Sequence, residues 1–217
     1  IALHQARQRR LPIFAFDEVA YGDPSGTLSL MSEMMAGLHD GSLFMTYQPK
    51  VDLRSQSVCS AEALLRWKHA GRGFVSPEDF VRTAEETGHI RPLTEWVFGQ
   101  VREERARFLE AGHDISIAIN LSGRLLTDTE FLNWALSFLG GEADRYCLEV
   151  TETAVIDDPS IALANIQRLR EAGFEISIDD YGSGLSSLSY LKQIPAHELK
   201  IDKSFVLPLS AGSADAL

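Results

Sequence analysis

The sequence predicts an α/β fold, a TIM-like (β/α)8 barrel with an antiparallel first strand. Apolar, β-prone runs alternate with helical segments of about 10 to 15 residues, an order typical of parallel β-α units. Runs such as 115–119 are almost continuously apolar, as expected for a sheet that is covered on both faces. Six strands are counted up to residue 217, whereas a closed barrel has eight. The last two strands are therefore absent from this sequence, and we expect them to follow residue 217.

The predicted elements follow from periodicity and from turn and cap residues. Residues 28–39 have apolar side chains at helical spacing. Runs 43–53 and 57–67 flank a polar Arg54-Ser55-Gln56, which predicts an antiparallel hairpin. Ser76 before Pro77 marks a helix start. The remaining predictions are helix 91–111, strand 115–120, helix 128–139, strand 145–150, helix 159–172, strand 174–179, helix 186–192 and strand 198–201.

The sequence divides into three parts. Residues 1–18 combine a short helical pattern with a short strand-like run and are predicted to belong to a preceding domain. Residues 19–27 have the Gly, Asp, Pro and Ser content of a linker. Residues 28–217 form the main domain. Because the chain starts at Ile1 without a Met, we expect it to be a piece of a longer protein.

Composition restricts the partners. The net charge of -11 argues against binding a DNA or RNA polymer, which requires a basic surface. No apolar stretch reaches the roughly 18 residues that span a bilayer, so no membrane contact is expected within this segment. The two cysteines, Cys59 and Cys147, lie in strand-like runs and are predicted to be buried thiols. The chain is expected to be cytoplasmic, although the full-length protein is free to be membrane-anchored.

Acidic and amide side chains stand where predicted strands end. They are Asn120, Glu149, Asp179 and Asp180, and Lys200 lies within the last predicted strand. Glu62 lies in mid-strand, but an antiparallel strand can still direct it to the same cavity. One such residue alone is usually a helix cap or a turn residue, and Lys200 alone could be a surface lysine. Together at one barrel rim, the carboxylates require divalent cations to remain ionised, which predicts a metal-dependent site.

The motifs resemble one family. They are Tyr47-Gln48-Pro49, Glu62-Ala63-Leu64, Asn120-Leu121-Ser122, Glu149-Val150-Thr151-Glu152, Asp179-Asp180-Tyr181-Gly182-Ser183-Gly184 and Lys200-Ile201-Asp202. From about residue 28 onward, their order and spacing are similar to those of the EAL domain family, bacterial phosphodiesterases that hydrolyse cyclic di-GMP. Residues 1–18 resemble, less specifically, the end of a GGDEF (diguanylate cyclase) domain. The resemblance implies an upstream GGDEF or sensor domain, and relatives often form homodimers.

The resemblance also implies a role for each matched residue. Two ions, Mg²⁺ or Mn²⁺, are implied, with Asp179 bridging them. The ions activate a water that attacks phosphorus and releases linear pGpG. The matched ligands of the first ion are Glu62, Asn120, Glu149 and Asp179, and Asp180 matches a ligand of the second. Lys200 matches the residue that orients or deprotonates the water. Glu152 matches a glutamate that holds the loop from Asp180 to Ser187, and the matched substrate contacts are Gln48, Leu64 and Arg66.

The sequence departs from the family in one respect. The two further strands of the family include a glutamate in a motif like EGVE and a glutamine in a motif like QGY, and neither motif occurs up to residue 217. Loss of that glutamate would favour a different class of function, a receptor module that binds cyclic di-GMP without hydrolysing it. A barrel enzyme of other chemistry would require the ordered motifs to be accidental. The six matched metal-site and lysine positions favour the phosphodiesterase.

Overall fold

The computed structural model describes residues 24–157, 159–182 and 194–206, without the side chains of 24–28 and 156–157. The predicted tail 1–18, residues 19–23 of the predicted linker and the predicted helix 186–192 lie outside the described residues. Among the helices that are described, none is both long and apolar enough to cross a membrane.

Strands and helices alternate along the described chain. In order, they are α1 (Pro24–Asp40), β1 (Leu43–Asp52), β2 (Ser57–His69), β3 (Gly73–Val75), α2 (Pro77–Thr87), α3 (Ile90–Glu110), β4 (Ser116–Asn120), α4 (Gly123–Leu126), α5 (Thr129–Leu139), the 3-10 helix Gly140–Arg145, β5 (Tyr146–Thr151), α6 (Glu152–Asp157), α7 (Pro159–Glu171), β6 (Glu175–Tyr181), β7 (Glu198–Ile201) and α8 (Lys203–Val206).

The strands form one mostly parallel sheet. Its order is β1-β2-β4-β5-β6-β7, with β3 paired beside β2. The first strand, β1, is antiparallel to β2, whereas β2 to β7 are parallel to one another along this path. The predicted α/β fold with an antiparallel first strand is therefore confirmed for the described residues.

The sheet curls strongly. Lys50 of β1 and Glu198 of β7 lie on the two end strands of this order, five strand spacings apart, which is about 24 Å in a flat sheet. Their charged groups nevertheless meet at 2.9 Å. The end strands therefore face each other across the interior of a half-barrel.

The core explains why the central strands are so apolar. Three of the five residues of β4 and five of the six residues of β5 are buried. Ile117, Ile119 and Leu148 are only 0–1% exposed. Outside the sheet, helices contribute buried aromatic side chains such as Phe98 and Phe131. Burial on both faces matches the continuous apolar runs of the sequence.

The element boundaries differ from the predictions in a few places. Helix α1 begins at Pro24, so residues 24–27, predicted as part of the linker, are helical. Strand β3 and the short helices α4, α6 and α8 were not predicted, because three to six residues are too few to show periodicity. Cys147 is buried as predicted, but the prediction for Cys59 is wrong, since this residue lies near the exposed end of the hairpin.

Candidate metal centre and active site

The parallel register brings the predicted strand-end residues to one rim. Asn120 of β4 pairs with Glu149 of β5, and Thr151 of β5 pairs with Asp179 of β6. Glu62 needs no antiparallel strand to reach them, contrary to our expectation, because β2 runs parallel to β4 and Glu62 is in register with Ala118. Neighbouring parallel strands therefore deliver these side chains to the same end of the half-barrel.

Three carboxylates converge on one point. Glu62, Glu149 and Asp179 each offer an oxygen, and these atoms lie within 4.8 Å of one another. Lys200 Nζ donates to Glu62 Oε2 at 3.0 Å, to Glu149 Oε2 at 2.8 Å and to Asp179 Oδ2 at 2.8 Å. Asn120 Nδ2 donates to Glu62 Oε1 at 3.0 Å. The structure thus brings five of the predicted site residues together.

A bulge in β6 presents two consecutive aspartates. Ile178 pairs with Leu199 and Tyr181 with Ile201, so two residues, Asp179 and Asp180, stand opposite Lys200 alone. Asp180 has φ of 54°, a left-handed conformation that non-glycine residues adopt rarely and at an energetic cost. Its backbone N–H donates to Asp179 Oδ1 at 2.8 Å. The extra residue therefore places both aspartates at the rim.

A second lysine, which the sequence analysis missed, contacts the same cluster. Lys50 Nζ donates to Glu149 Oε1 at 2.9 Å and to both carboxylate oxygens of Glu198, at 3.2 and 2.9 Å. The signal was available in the two-residue alternation of β1, because Lys50 lies on the same face as Gln48, which pairs with Glu62. Glu198 gave no such signal, since only the curl of the sheet brings β7 to β1.

Burial and ion pairing act against each other in this cluster. The side chain of Glu149 is fully buried, and burial raises the pKa of its carboxyl group, although the hydrogen bonds from Lys200 and Lys50 oppose this shift. Burial alone would lower the pKa of Lys200, but hydrogen bonds to Asp179 and Glu149 outweigh it and raise the pKa. Burial, with the charges of Asp179 and Asp202, raises the pKa of Asp180. The group is therefore a compact array of interdependent charges.

The donor atoms suit a hard divalent cation. The convergent ligands are carboxylate oxygens together with the amide of Asn120, and no sulfur or imidazole belongs to the described cluster. Such oxygen ligands are preferred by Mg²⁺ and Mn²⁺ over softer metals. The cluster can therefore hold a metal ion.

Glu152 connects the next helix to the end of β6. Its side chain is 2% exposed, and its Oε2 accepts a hydrogen bond from the backbone N–H of Gly182 at 2.9 Å. Its Oε1 is buried and has no hydrogen-bond partner among the described residues. Gly182 follows the bulge after one residue, Tyr181, and has φ of 96°, so the Glu152 carboxylate holds a left-handed residue close to the two aspartates.

The predicted substrate residues lie along β1 and β2, beside the cluster. Gln48 pairs with Glu62 across the hairpin, and Leu64 and Arg66 follow Glu62 at two-residue steps, so they share its face of β2. Leu64 and Arg66 line a cavity of about 380 Å³ together with Asn120 and Glu149. Arg66 Nη1 donates to the carbonyl of Leu65 at 3.0 Å. A concave surface thus extends from the acidic cluster along β2.

Fold and site together define a class, an α/β half-barrel with an acidic, oxygen-rich centre at the carboxyl ends of its parallel strands. Comparison with known families then identifies the family. The EAL domain model matches residues 31–217, and the chain belongs to the EAL domain family.

Sequence relatives agree with this assignment. The chain is 35% identical over 217 residues to the bifunctional diguanylate cyclase/cyclic di-GMP phosphodiesterase MucR of Pseudomonas aeruginosa, covering 98% of this chain and 32% of MucR. It is 36% identical over 182 residues to the cyclic di-GMP phosphodiesterase PdeR of Escherichia coli, covering 82% and 27%. The chain thus spans between about a quarter and a third of the length of these relatives.

Solved structures share the fold. The phosphodiesterase MucR in complex with cyclic di-GMP superimposes with a TM-score of 0.80 at 37% identity, covering 87% of this chain and 78% of that one. The EAL enzyme Bd1971 in its cGMP-bound form gives a TM-score of 0.77 at 30% identity, covering 88% and 54%. These similarities support the TIM-barrel assignment for the described half-barrel.

Proposed function

We propose that this chain is a Mg²⁺- or Mn²⁺-dependent phosphodiesterase domain that hydrolyses cyclic di-GMP to linear pGpG. The observation that supports it most strongly is the convergence of Glu62, Glu149 and Asp179 on Lys200, with Asn120 hydrogen-bonded to Glu62. A phosphodiester carries negative charge, so an acidic pocket accepts it only with cations between substrate and carboxylates. MucR and PdeR are named as cyclic di-GMP phosphodiesterases, which supports the same substrate here.

In this proposal the acidic residues hold two ions. Glu62, Asn120, Glu149 and Asp179 are ligands of the first, and Asp179 and Asp180 of the second. The bulge of β6 supports this division because it places two consecutive aspartates opposite one residue of β7. When bound, the two ions neutralise the phosphate and lower the pKa of the attacking water.

The other side chains bind the substrate, orient the attacking water or support the metal ligands. Arg66 has a planar guanidinium that suits a phosphate, and it lines the cavity beside the cluster, as does Leu64. Gln48 contacts the nucleotide in this proposal, and its pairing with Glu62 across the hairpin supports that role. Lys200 orients the water, whose oxygen forms the new bond to phosphorus while the bond to the ribose 3′-oxygen breaks. The proton that the water loses ends on that oxygen, which becomes the 3′-hydroxyl of pGpG. Glu152 keeps the β6 end in shape through Gly182.

The test is hydrolysis of cyclic di-GMP with Mg²⁺ or Mn²⁺, followed by chromatography, beside a titration that measures cyclic di-GMP binding with the same metals. We expect pGpG to form with either metal and to disappear with excess EDTA. Cyclic GMP serves as the control substrate. Binding of cyclic di-GMP without any product, in the presence of bound metal, would refute the enzyme and identify a receptor module instead.

A further inference from the structure

The two carboxylate oxygens of Glu149 have different lysine partners. Its ammonium contacts Glu149 Oε1 at 2.9 Å, whereas Oε2 faces the other carboxylates through Lys200. Glu149 is fully buried, and Lys50 supplies the hydrogen bond to its Oε1. A metal ion that takes the place of Lys200 among these carboxylates meets Oε2, because Oε2 shares the Lys200 ammonium with Glu62 Oε2 and Asp179 Oδ2.

Glu198 in turn fixes Lys50. Both of its carboxylate oxygens accept from Lys50 Nζ, at 2.9 and 3.2 Å, and its side chain is 42% exposed. Lys50 stands on β1 and Glu198 on β7, so this pair joins the two end strands of the half-barrel below the cluster. Lys200 must leave its three carboxylates when a cation replaces it, but Lys50 contacts none of the oxygens that face the cation and can stay in place.

We propose that Lys50, braced by Glu198, is a positioning residue of the metal centre that holds Glu149 so that only Oε2 is presented to the ion. The proposal rests on the metal centre of the proposed function. Residues that hydrogen-bond to a metal ligand fix its orientation, and their removal typically weakens metal binding by about 10- to 100-fold.

If Lys50 acted only through its charge, its removal would change the metal affinity in the opposite direction. Lys50 is a cation close to the metal site, so its charge alone repels a divalent ion, and removing it should tighten metal binding. Orientation and repulsion therefore make contrary predictions for the same substitution. Because Glu149 is buried and has both oxygens engaged, we expect the loss of orientation to dominate.

The experiment measures Mg²⁺ and Mn²⁺ dissociation constants by isothermal titration calorimetry for the wild type, Lys50→Met, Glu198→Gln and the double variant. We expect Lys50→Met to weaken binding by about 10-fold or more. Glu198→Gln should weaken binding less, because Lys50 itself remains. The double variant should match Lys50→Met, because Glu198 acts through Lys50. Lys68→Met is the matched control, because Lys68 is an exposed lysine of β2. This variant should bind metal as the wild type does.

The outcomes separate the possible failures. Equal or tighter metal binding by Lys50→Met overturns the positioning role, and additive losses in the double variant overturn the brace. A wild type that binds no metal overturns the metal centre itself, and with it the proposed function. The exposed Glu198→Gln variant keeps the test decisive if Lys50→Met fails to fold. A kinetic readout accompanies these: in Lys50→Met, the metal concentration for half-maximal turnover should rise by about 10-fold, while turnover at saturating metal changes far less.

Discussion

Lys200 Nζ lies 2.8 Å from Glu149 Oε2, and the same nitrogen bridges Glu62 and Asp179. One ammonium thus takes the position at which the three carboxylates would meet a cation. An ammonium and a divalent ion compete for the same oxygens, so a metal ion must break the ion pairs of Lys200 in order to bind. These ion pairs therefore lower the metal affinity of the site. This competition distinguishes Lys200 from Lys50, whose partners are Glu149 Oε1 and Glu198.

Lys200→Met should therefore bind Mg²⁺ more tightly, by about 10-fold, because no ammonium has to be displaced. Its turnover of cyclic di-GMP should fall by about 10²- to 10⁴-fold, because the residue that we propose to orient the water is lost. Calorimetry and a turnover assay at saturating metal measure the two effects separately. Lys68→Met is the control for loss of a lysine away from the cluster. Metal binding that is unchanged or weaker in Lys200→Met would contradict the competition.

Glu62→Ala should abolish turnover and weaken metal binding while leaving the fold intact. Glu62 contributes a carboxylate to the cluster and accepts from Asn120 and Lys200, and it is not part of the apolar core. Circular dichroism and thermal melting check the fold, and calorimetry checks metal binding. Glu86→Ala, which removes an exposed carboxylate from α2, should behave as the wild type. Turnover within twofold of the wild type would refute this assignment of the site.

Much of this site could be predicted from the sequence, because parallel strands end at one rim. Asn120, Glu149 and Asp179 each follow a run of apolar residues, and the register then aligns them without further information. The bulge at Asp179 and Asp180 could not be predicted, because it depends on how β6 pairs with β7. The Lys50–Glu198 pair could not be predicted either, since it depends on the curl of the whole sheet.

In the fold, too, some features could be predicted from local sequence and others depend on tertiary structure. Long elements with clear periodicity, such as α3 and the β1–β2 hairpin, were predicted to within one or two residues at most ends. Cys59 was misplaced because apolar character alone does not reveal that the hairpin extends beyond the helices that cover the sheet. Its neighbour Val58 is 49% exposed for the same reason. Local pattern therefore identified the strands, and only tertiary structure showed which parts are covered.

Gly123→Ala should destabilise the protein by about 1–3 kcal/mol. A Cβ at Gly123, the first residue of α4, would lie 2.6 Å from Ala154 Cβ and 3.0 Å from Ala154 Cα, so α4 would have to move away from α6. Urea unfolding followed by circular dichroism measures the change.

The control substitution, Gly99→Ala, should stabilise the protein instead of destabilising it. Gly99 lies within α3, and a Cβ there would meet nothing within 4 Å. Gly99→Ala should therefore stabilise the helix by about 0.5–1 kcal/mol, because alanine loses less backbone entropy on folding. Equal effects of the two substitutions would show that the close contact between α4 and α6 does not limit the choice of residue at position 123.

The two cysteines should differ sharply in reactivity. Cys59 is exposed, whereas Cys147 is buried in β5, where burial and then the charge of Glu149 raise the pKa of its thiol to about 12. Since the thiolate is the reactive form, a thiol reagent at pH 8 should label the native protein once, at Cys59. Cys59→Ser should label only slowly under native conditions, through local opening of β5, and rapidly once guanidinium unfolds it.

Labelling of Cys147 in the Cys59→Ser variant then becomes a probe of β5, because the thiol reacts only when the strand opens locally. Cys147 lies two residues from Glu149, whose carboxylate is a proposed metal ligand. Metal that binds the closed cluster should stabilise the closed strand by mass action, and the slow labelling of Cys147 should become slower as Mg²⁺ is raised. Cys59 in the Cys147→Ser variant should label at a rate independent of Mg²⁺, because it lies outside the cluster. A Cys147 labelling rate that does not respond to Mg²⁺ at concentrations that saturate the site would show that metal binding does not stabilise this strand.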